Sequence, residues 1–345
     1  MKRVRCLFLI FPLLLVLAFA DKPKEFRWKF SGISRIVAIG DVHGAYDSFV
    51  ELLQKTGLID KRLNWTGGET HLVQTGDVVD RGPDSRKALK LLMSLEKQAA
   101  KTNGAVHALI GNHEAMNIYG DLRYVSAEEY ASYRTQDSPL LLDRLLKKEI
   151  AQKRTADPSL DLDKFRQEWH AKHPLGFVER LLAFAKEGEF GDWLRGHNAI
   201  VQVNDIIFLH GGIGPKYAGQ AIPSMNNRIR AELNDFSLLD GGITADGEGP
   251  LWYRELAQGT LDTTAVNSIF QQLGVSRMVI GHTVMPTVTS RYDGRIWCID
   301  TGMLKIYNGG NPTALIIENG RFIILEHGEF KVAPSPESQA ALKAR

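Results

Sequence analysis

Cysteine is nearly absent, with Cys6 and Cys298 the only two in 345 residues. Net charge is nearly absent as well, at +2, so there is no electrostatic case for nucleic acid or an anionic membrane as the main partner. No Gly-Lys-Ser/Thr follows Gly67-Gly68 or Gly241-Gly242, which makes both ordinary turns rather than phosphate-cradling loops. There is no internal repeat. No apolar run reaches the ~20 residues that a spanning helix needs. The longest, Cys6 to Ala20, is about 15 residues and contains Pro12. Lys2, Arg3 and Arg5 precede it and Ala18-Phe19-Ala20 ends it. That order predicts a signal peptide over residues 1–20, cleaved near Ala20/Asp21, and a secreted or periplasmic protein with no stable membrane association afterwards; an uncleaved anchor is the alternative. Cleavage removes three basic residues and no acid, taking the charge from +2 to −1. It also leaves Cys298 without an intramolecular partner, so stability rests on an ordinary core.

With 44% hydrophobic residues, what remains can bury a large core, as one big domain or two. Its organising stretch is Val37-Ala38-Ile39-Gly40-Asp41-Val42-His43-Gly44. A buried strand stops where a carboxylate and an imidazole emerge two residues apart, on one face if the segment is extended. Three segments of the same kind follow: Gly76-Asp77-Val78-Val79-Asp80-Arg81-Gly82, Gly111-Asn112-His113-Glu114 and His210-Gly211-Gly212. Gly281-His282-Thr283 is a further candidate.

Strands are predicted over 33–39, 71–75 and 105–110, with helices over 45–55 and 85–95, the second capped by Ser85. Strand, polar tip and helix in alternation indicate an α/β sheet with its active edge at the carboxyl ends of the strands. From about 126 to 196 the composition turns helical, predicting three or four inserted helices with a local core. Strands resume at 199–203 and 206–209, joined by an Asn204-Asp205 turn. Helices over 223–234 and 263–273 precede short strands over 278–280, 288–292, 296–299, 314–318 and 322–325, with Asp293-Gly294 and Asn319-Gly320 as hairpin turns. Residues 332–345 read as a loose tail.

Together the tips offer Asp41, His43, Asp77, Asn112, His210 and His282. Carboxylate, imidazole and amide oxygen in one shell suit a first-row divalent metal better than magnesium or calcium. Six ligands suit two metals if one carboxylate bridges, and two ions ~4 Å apart can hold a hydroxide for in-line displacement at phosphorus. Arg81 and Arg254 can fork a phosphoryl group. His113 is then free to protonate the leaving oxygen, with Asp80 fixing its tautomer.

These motifs, in this order and with gaps of 36 and 35 residues between Asp41, Asp77 and Asn112, resemble the phosphoprotein phosphatase family of the calcineurin-like metallophosphoesterases. Within it the chain is most similar to the bacterial Shewanella-like phosphatases, over about residues 33–326. The resemblance implies a β-sandwich flanked by helices, here with a helical cap insert. It implies two divalent ions per chain, manganese first, with iron, zinc or cobalt as alternatives. It assigns Asp41, His43 and Asp77 to one ion and Asp77, Asn112, His210 and His282 to the other. His113 then resembles the general acid, Asp80 its partner, and Arg81, Arg254 and Asn112 substrate contacts. There are departures. Ala45 stands where eukaryotic members carry Gln, and the stretch from Asn112 to His210 spans 98 residues, about twice theirs. Ile299-Asp300-Thr301-Gly302-Met303 replaces their aromatic closing loop.

Three functions compete. The first is a phosphatase of phosphoproteins or small phosphomonoesters, with no nucleic-acid partner and an oligomeric state left open. A symmetrical dinucleoside tetraphosphatase is second, favoured by Ile299-Asp300-Thr301-Gly302 and disfavoured by the export signal. A non-catalytic binding protein is third, disfavoured because every ligand and the acid are present. Tyr119, Asp121 and Tyr124 could line a substrate groove or be structural. The insert is expected to overhang the metals and deepen the site, which favours phosphotyrosine over phosphoserine or phosphothreonine. His71, His107, His170, His173, His197 and His327 read as structural.

Overall fold

The computed structural model describes residues 26–307 and 309–333. The expected signal peptide and almost all of the expected C-terminal tail lie outside the described residues. Among the described residues twelve strands form two six-stranded sheets. They are β1 (Lys29–Phe30), β2 (Arg35–Ile39), β3 (His71–Gln74), β4 (Ala105–Ala108), β5 (Ile200–Val203), β6 (Ile206–Leu209), β7 (Arg277–Ile280), β8 (Thr289–Arg291), β9 (Ile296–Cys298), β10 (Thr313–Glu318), β11 (Arg321–Glu326) and β12 (Glu329–Val332). One sheet runs β1-β5-β6-β7-β9-β8 and the other β12-β11-β10-β2-β3-β4.

The sandwich follows from strands apolar on both faces. In β2, Ile36 and Ala38 face the opposite sheet with Val73, Phe208, Val279, Trp297 and Leu315. Val37 and Ile39 point the other way, into a core shared with Phe49, Leu53, Leu89 and Leu92 of the flanking helices. Those helices are α1 (Tyr46–Lys55) and α2 (Ser85–Ala99), and α3 (Asn112–Tyr119) follows β4 directly. Helix α2 is capped differently from the expectation: Asp84 holds the N-cap position, and Ser85 is buried inside the helix.

The expected insert contains five helices rather than three or four: α4 (Ala127–Ala131), α5 (Ser138–Ala156), α6 (Leu162–Lys172), α7 (Phe177–Phe184) and α8 (Glu189–Arg195). Leu142, Leu146 and Trp169 give it a small core of its own, while Phe184, Phe190 and Leu194 bury into the main one. Helices α9 (Pro215–Ala218), α10 (Ile222–Asn234), α11 (Glu255–Gln258) and α12 (Thr263–Leu273) are the remaining α-helices of the described residues. Among the described residues no helix is long and apolar enough to cross a membrane.

The three predicted hairpin turns form, with Asn204, Asp293 and Asn319 each in left-handed backbone. A further hairpin through His327-Gly328 adds β12 to β11, a strand not predicted, and its last residue, Val332, is the first of the expected tail. All four residues of β12 are exposed. It carries no buried alternation from which a strand could be read.

Candidate metal centre

Strands β2, β3 and β4 are parallel and in close register: Ile39 pairs with Gln74, and Gln74 with Ala108. Their carboxyl ends therefore deliver Asp41, Asp77 and Asn112 to one edge. In the other sheet β6 and β7 are parallel with Leu209 opposite Ile280, which brings His210 and His282 to the same level. The two sheets thus present their tips to each other. All six predicted ligands are buried, none above 6% exposed.

The imidazoles are oriented by their outer nitrogens. His43 Nδ1 lies 2.9 Å from the Val79 carbonyl, His210 Nδ1 3.0 Å from that of Thr75, and His282 Nε2 3.1 Å from that of Trp252. Each of these nitrogens donates to its carbonyl and leaves the other nitrogen a lone pair facing inward. Inward-facing His210 Nε2 is 2.8 Å from Asn112 Oδ1 and 3.2 Å from Asp77 Oδ2. His43 Nε2 is 3.7 Å from the same Asp77 oxygen and 3.9 Å from Asp41 Oδ2. Two donor clusters result, His43-Asp77-His113 and Asp77-His210-His282, with Asp77 common to both.

The electrostatics fit a cation-binding shell. Burial, together with Asp300 and Asp77, pushes the Asp41 carboxyl well above the usual range. Asp300, buried nearby, rises to about 6 for the same first reason. Burial lowers His43 to about 4 and His282 to about 2, keeping both neutral. Asp77 goes the other way: burial opposes its charge, but His210 and His113 outweigh it and hold the carboxyl low. Crowded carboxylates beside neutral imidazoles form a shell suited to two divalent cations.

His113, a member of the first cluster, also pairs with a carboxylate outside it. Its Nδ1 is 2.7 Å from Asp80 Oδ2, and its Nε2 is 3.5 Å from Arg81 Nη2. Burial alone would lower its pKa, but Asp77 and Asp80 raise it above the ordinary histidine value. Asp80 also accepts a bond from Asn117 Nδ2 at 3.0 Å. The open cavity above, about 290 Å³, is lined by Arg81, Arg254, Tyr124, Trp252, Val284 and Tyr307 as well as every predicted ligand but the fully buried His210. Arg81 lies under Tyr124 and Tyr307, 4.9 and 5.5 Å from their ring centroids. Arg254 is held by the His282 carbonyl at 2.8 Å.

Two expectations change. None of the residues lining this cavity belongs to 126–196, so the insert does not overhang the site; its helices pack on one another and against the main core instead. An aromatic side chain does reach the site from the loop after Gly302, namely Tyr307, whose ring centroid is 6.1 Å from that of His43. Of the groove candidates, Tyr124 lines the cavity; Tyr119 packs on the core and Asp121 pairs with Arg123. The six structural histidines lie elsewhere. His71 and His107 share a hydrogen bond at 3.0 Å, and His173 stacks on Trp169.

Sequence reasoning gave no role to Glu114, Asp300, Trp252 or Tyr307. Glu114 was visible as the last residue of its motif, but its task is structural. One carboxylate accepts the N–H groups of Asp77, Val78, Val79 and Gly111 at 2.8–3.3 Å, locking the β3 turn to the start of α3. The approach is tight enough that a Cβ on Gly111 would strike Asp77 Oδ1, and one on Gly281 would strike Asp41 Oδ1. Asp77, Asp80, Arg81, His43 and His282 all hold left-handed backbone without being glycine, a strain that collects at functional sites.

Residues 34–286 match the calcineurin-like phosphoesterase family. A protein of Schizosaccharomyces pombe is 32% identical over 84% of this chain and 80% of its own. Shewanella-like protein phosphatase 2 of Arabidopsis thaliana is 30% identical over 88% of this chain and 80% of its own. The crystal structure of a cold-active protein tyrosine phosphatase superposes with a TM-score of 0.70 at 29% identity, covering 90% of this chain and 81% of that one. With the fold, the donor shell and these likenesses in agreement, the chain belongs to the calcineurin-like metallophosphoesterases and is a hydrolase of phosphate esters.

Proposed function

We propose that this protein is a dinuclear, metal-dependent phosphomonoesterase acting on phosphoproteins, with phosphotyrosine preferred. The observation that carries the reading is the convergence of both sheets on one cavity, where a histidine–aspartate pair and two arginines face the donor shell. Asp41, His43 and Asp77 would hold one ion and Asp77, Asn112, His210 and His282 the other, with manganese first and iron, zinc or cobalt as alternatives. When bound, the ions supply an activated water and offset charge on the phosphoryl oxygens.

The chain's own residues do the rest. Arg81 and Arg254 orient the phosphoryl group by their guanidinium forks, aided by the Asn112 amide. As the bond from phosphorus to the leaving oxygen breaks, His113 gives that oxygen the proton on Nε2. Asp80 accepts from Nδ1–H and so keeps Nε2 aimed at the cavity. The Arg81 guanidinium beside that nitrogen favours proton donation over metal ligation for His113.

Support for phosphotyrosine comes from the walls rather than from the insert. Tyr124, Trp252 and Tyr307 line the same cavity as the donor shell, giving an aryl group faces to pack on. The solved neighbour described as a protein tyrosine phosphatase supports the same choice. The test is kcat/KM on matched phosphotyrosine, phosphoserine and phosphothreonine peptides, with diadenosine tetraphosphate alongside. Preference for phosphoserine or the dinucleotide would refute the substrate assignment. Export is proposed from Met1 to Ala20 alone, and mass measurement of the extracytoplasmic protein should find a chain beginning at or near Asp21.

A further inference from the structure

The largest fully buried side chain of the described residues is not apolar: it is Arg180, on α7 of the insert. Its Nη2 lies 3.4 Å from Asp80 Oδ1 and its Nε 3.6 Å from Glu129 Oε1. All three side chains are 0% exposed. Glu129 comes from α4 and also accepts the Ser85 N–H at 3.2 Å. The guanidinium packs over the ring of Phe184, 4.7 Å from its centroid, and its Nε and Nη1 make no hydrogen bond among the described residues.

A guanidinium left this short of partners is not there for its own stability, because buried ion pairs seldom improve on apolar packing. Its position suggests another use. Asp80 turns one oxygen to His113 and the other to Asn117 and Arg180. Without Arg180, two buried carboxylates from separate elements would face each other with no cation between them. Asp80 would then rotate or recruit water, and His113 would lose its fixed direction. We propose that Arg180 is a positioning residue: the insert serves the site from behind, holding Asp80 so that Asp80 can hold His113. The inference rests on the reading of His113 as proton donor.

The test compares Arg180→Met, Arg180→Lys and the double variant Arg180→Met/Glu129→Gln, with His113→Asn in parallel. Each is measured for folding, bound metal, kcat and KM on phenyl phosphate, a poor leaving group, and on 2,4-dinitrophenyl phosphate, a good one. Arg180→Met is expected to keep its metal and its KM within about twofold. Its kcat on phenyl phosphate should fall about 10- to 100-fold, less than the ~10²–10⁴ of removing the acid itself, and by under about threefold on the dinitrophenyl ester. Arg180→Lys should restore part of the loss. If Arg180→Met does not fold, the double variant, which also removes the opposing Glu129 charge, should show the same split between substrates. Equal losses on both esters, or none, overturn the proposal, as does failure of both Met variants to fold with Arg180→Lys equally active on both. If His113→Asn shows no leaving-group dependence, the proton-donor reading falls and this inference with it. If His113→Asn shows it and the Arg180 variants do not, the inference alone fails.

Discussion

Glu114 is the place where one atom can loosen the whole site. Its carboxylate is fully buried; Oε1 serves the Val78 and Val79 N–H groups and Oε2 those of Asp77 and Gly111. Glu114→Gln keeps the shape but turns one oxygen into NH₂. Two of the four backbone donors then face a donor. Each buried N–H without an acceptor costs about 1–3 kcal/mol, so the variant should lose roughly 2–6 kcal/mol. About 300 residues unfolding together do so with an entropy on the order of 0.6 kcal/mol/K near the midpoint. The expected fall in Tm is therefore about 3–10 °C.

Activity should fall with it, because the bonds being broken hold Asp77 in left-handed backbone at φ 58°, and Asp77 Oδ1 in turn receives the His113 N–H at 3.0 Å. Calorimetry on chelated and on metal-reloaded protein, with metal content and kcat measured on the same samples, separates the two losses. A Glu114→Gln protein with Tm within 1 °C of the parent, on the order of the noise of the method, and unchanged kcat would refute the claim that this carboxylate sets the geometry.

Dialysis against a chelator should abolish turnover of an aryl phosphate, and manganese or another first-row divalent ion should restore it with about two ions per chain; undiminished turnover after chelation would remove the metal from the reaction. His113→Asn should lower kcat by about 10²–10⁴ on poor leaving groups and less on good ones. Arg81→Ala should raise KM and lower kcat together, and no change in either would end its role as a phosphate clamp. The buried His71–His107 pair makes stability acid-sensitive. Burial lowers the two from 6.5 to about 4 and about 3, so the unfolded chain takes up their protons first. Stability is then full above about pH 6.5 and falls as pH drops from there toward 4, by up to about 1.4 kcal/mol per pH unit for each. His107→Gln should flatten that slope in urea titrations.

What the sequence made legible was what is local. Asp41, His43, Asp77, Asn112 and His210 sit in short motifs directly after apolar runs, and a strand that ends in a polar pair betrays its tip without reference to the rest of the chain. Spacing could not say what a residue does for another element. Glu114 closes a visible motif, yet its four partners lie on two turns, three of them 35–37 positions back. Trp252 and Tyr307 enter the cavity because loops fold over it, and nothing in their own neighbourhoods marks them. The direction of the insert was misread for a related reason. Helical periodicity reports that 126–196 has apolar faces to bury, but not against what; Phe184, Phe190 and Leu194 bury in the main core, and no residue of the insert lines the cavity.

The backbone explains why the site needs support from so far away. His43, Asp77, Asp80, Arg81 and His282 are five of the twelve non-glycine residues with positive φ among the described residues. At about 1–3 kcal/mol for each sparsely populated conformation, no single turn would hold this arrangement alone. The compensating contacts are all long-range: the Glu114 carboxylate under Asp77, the Arg81 N–H on the Tyr124 carbonyl at 2.9 Å, the Asp41 carboxylate on the His282 N–H at 3.1 Å, and Arg180 behind Asp80. Each joins a strained tip to an element remote in sequence. A shell built this way keeps its donors aimed before any cation arrives, which is the condition for binding a metal pair without reorganising the fold around it.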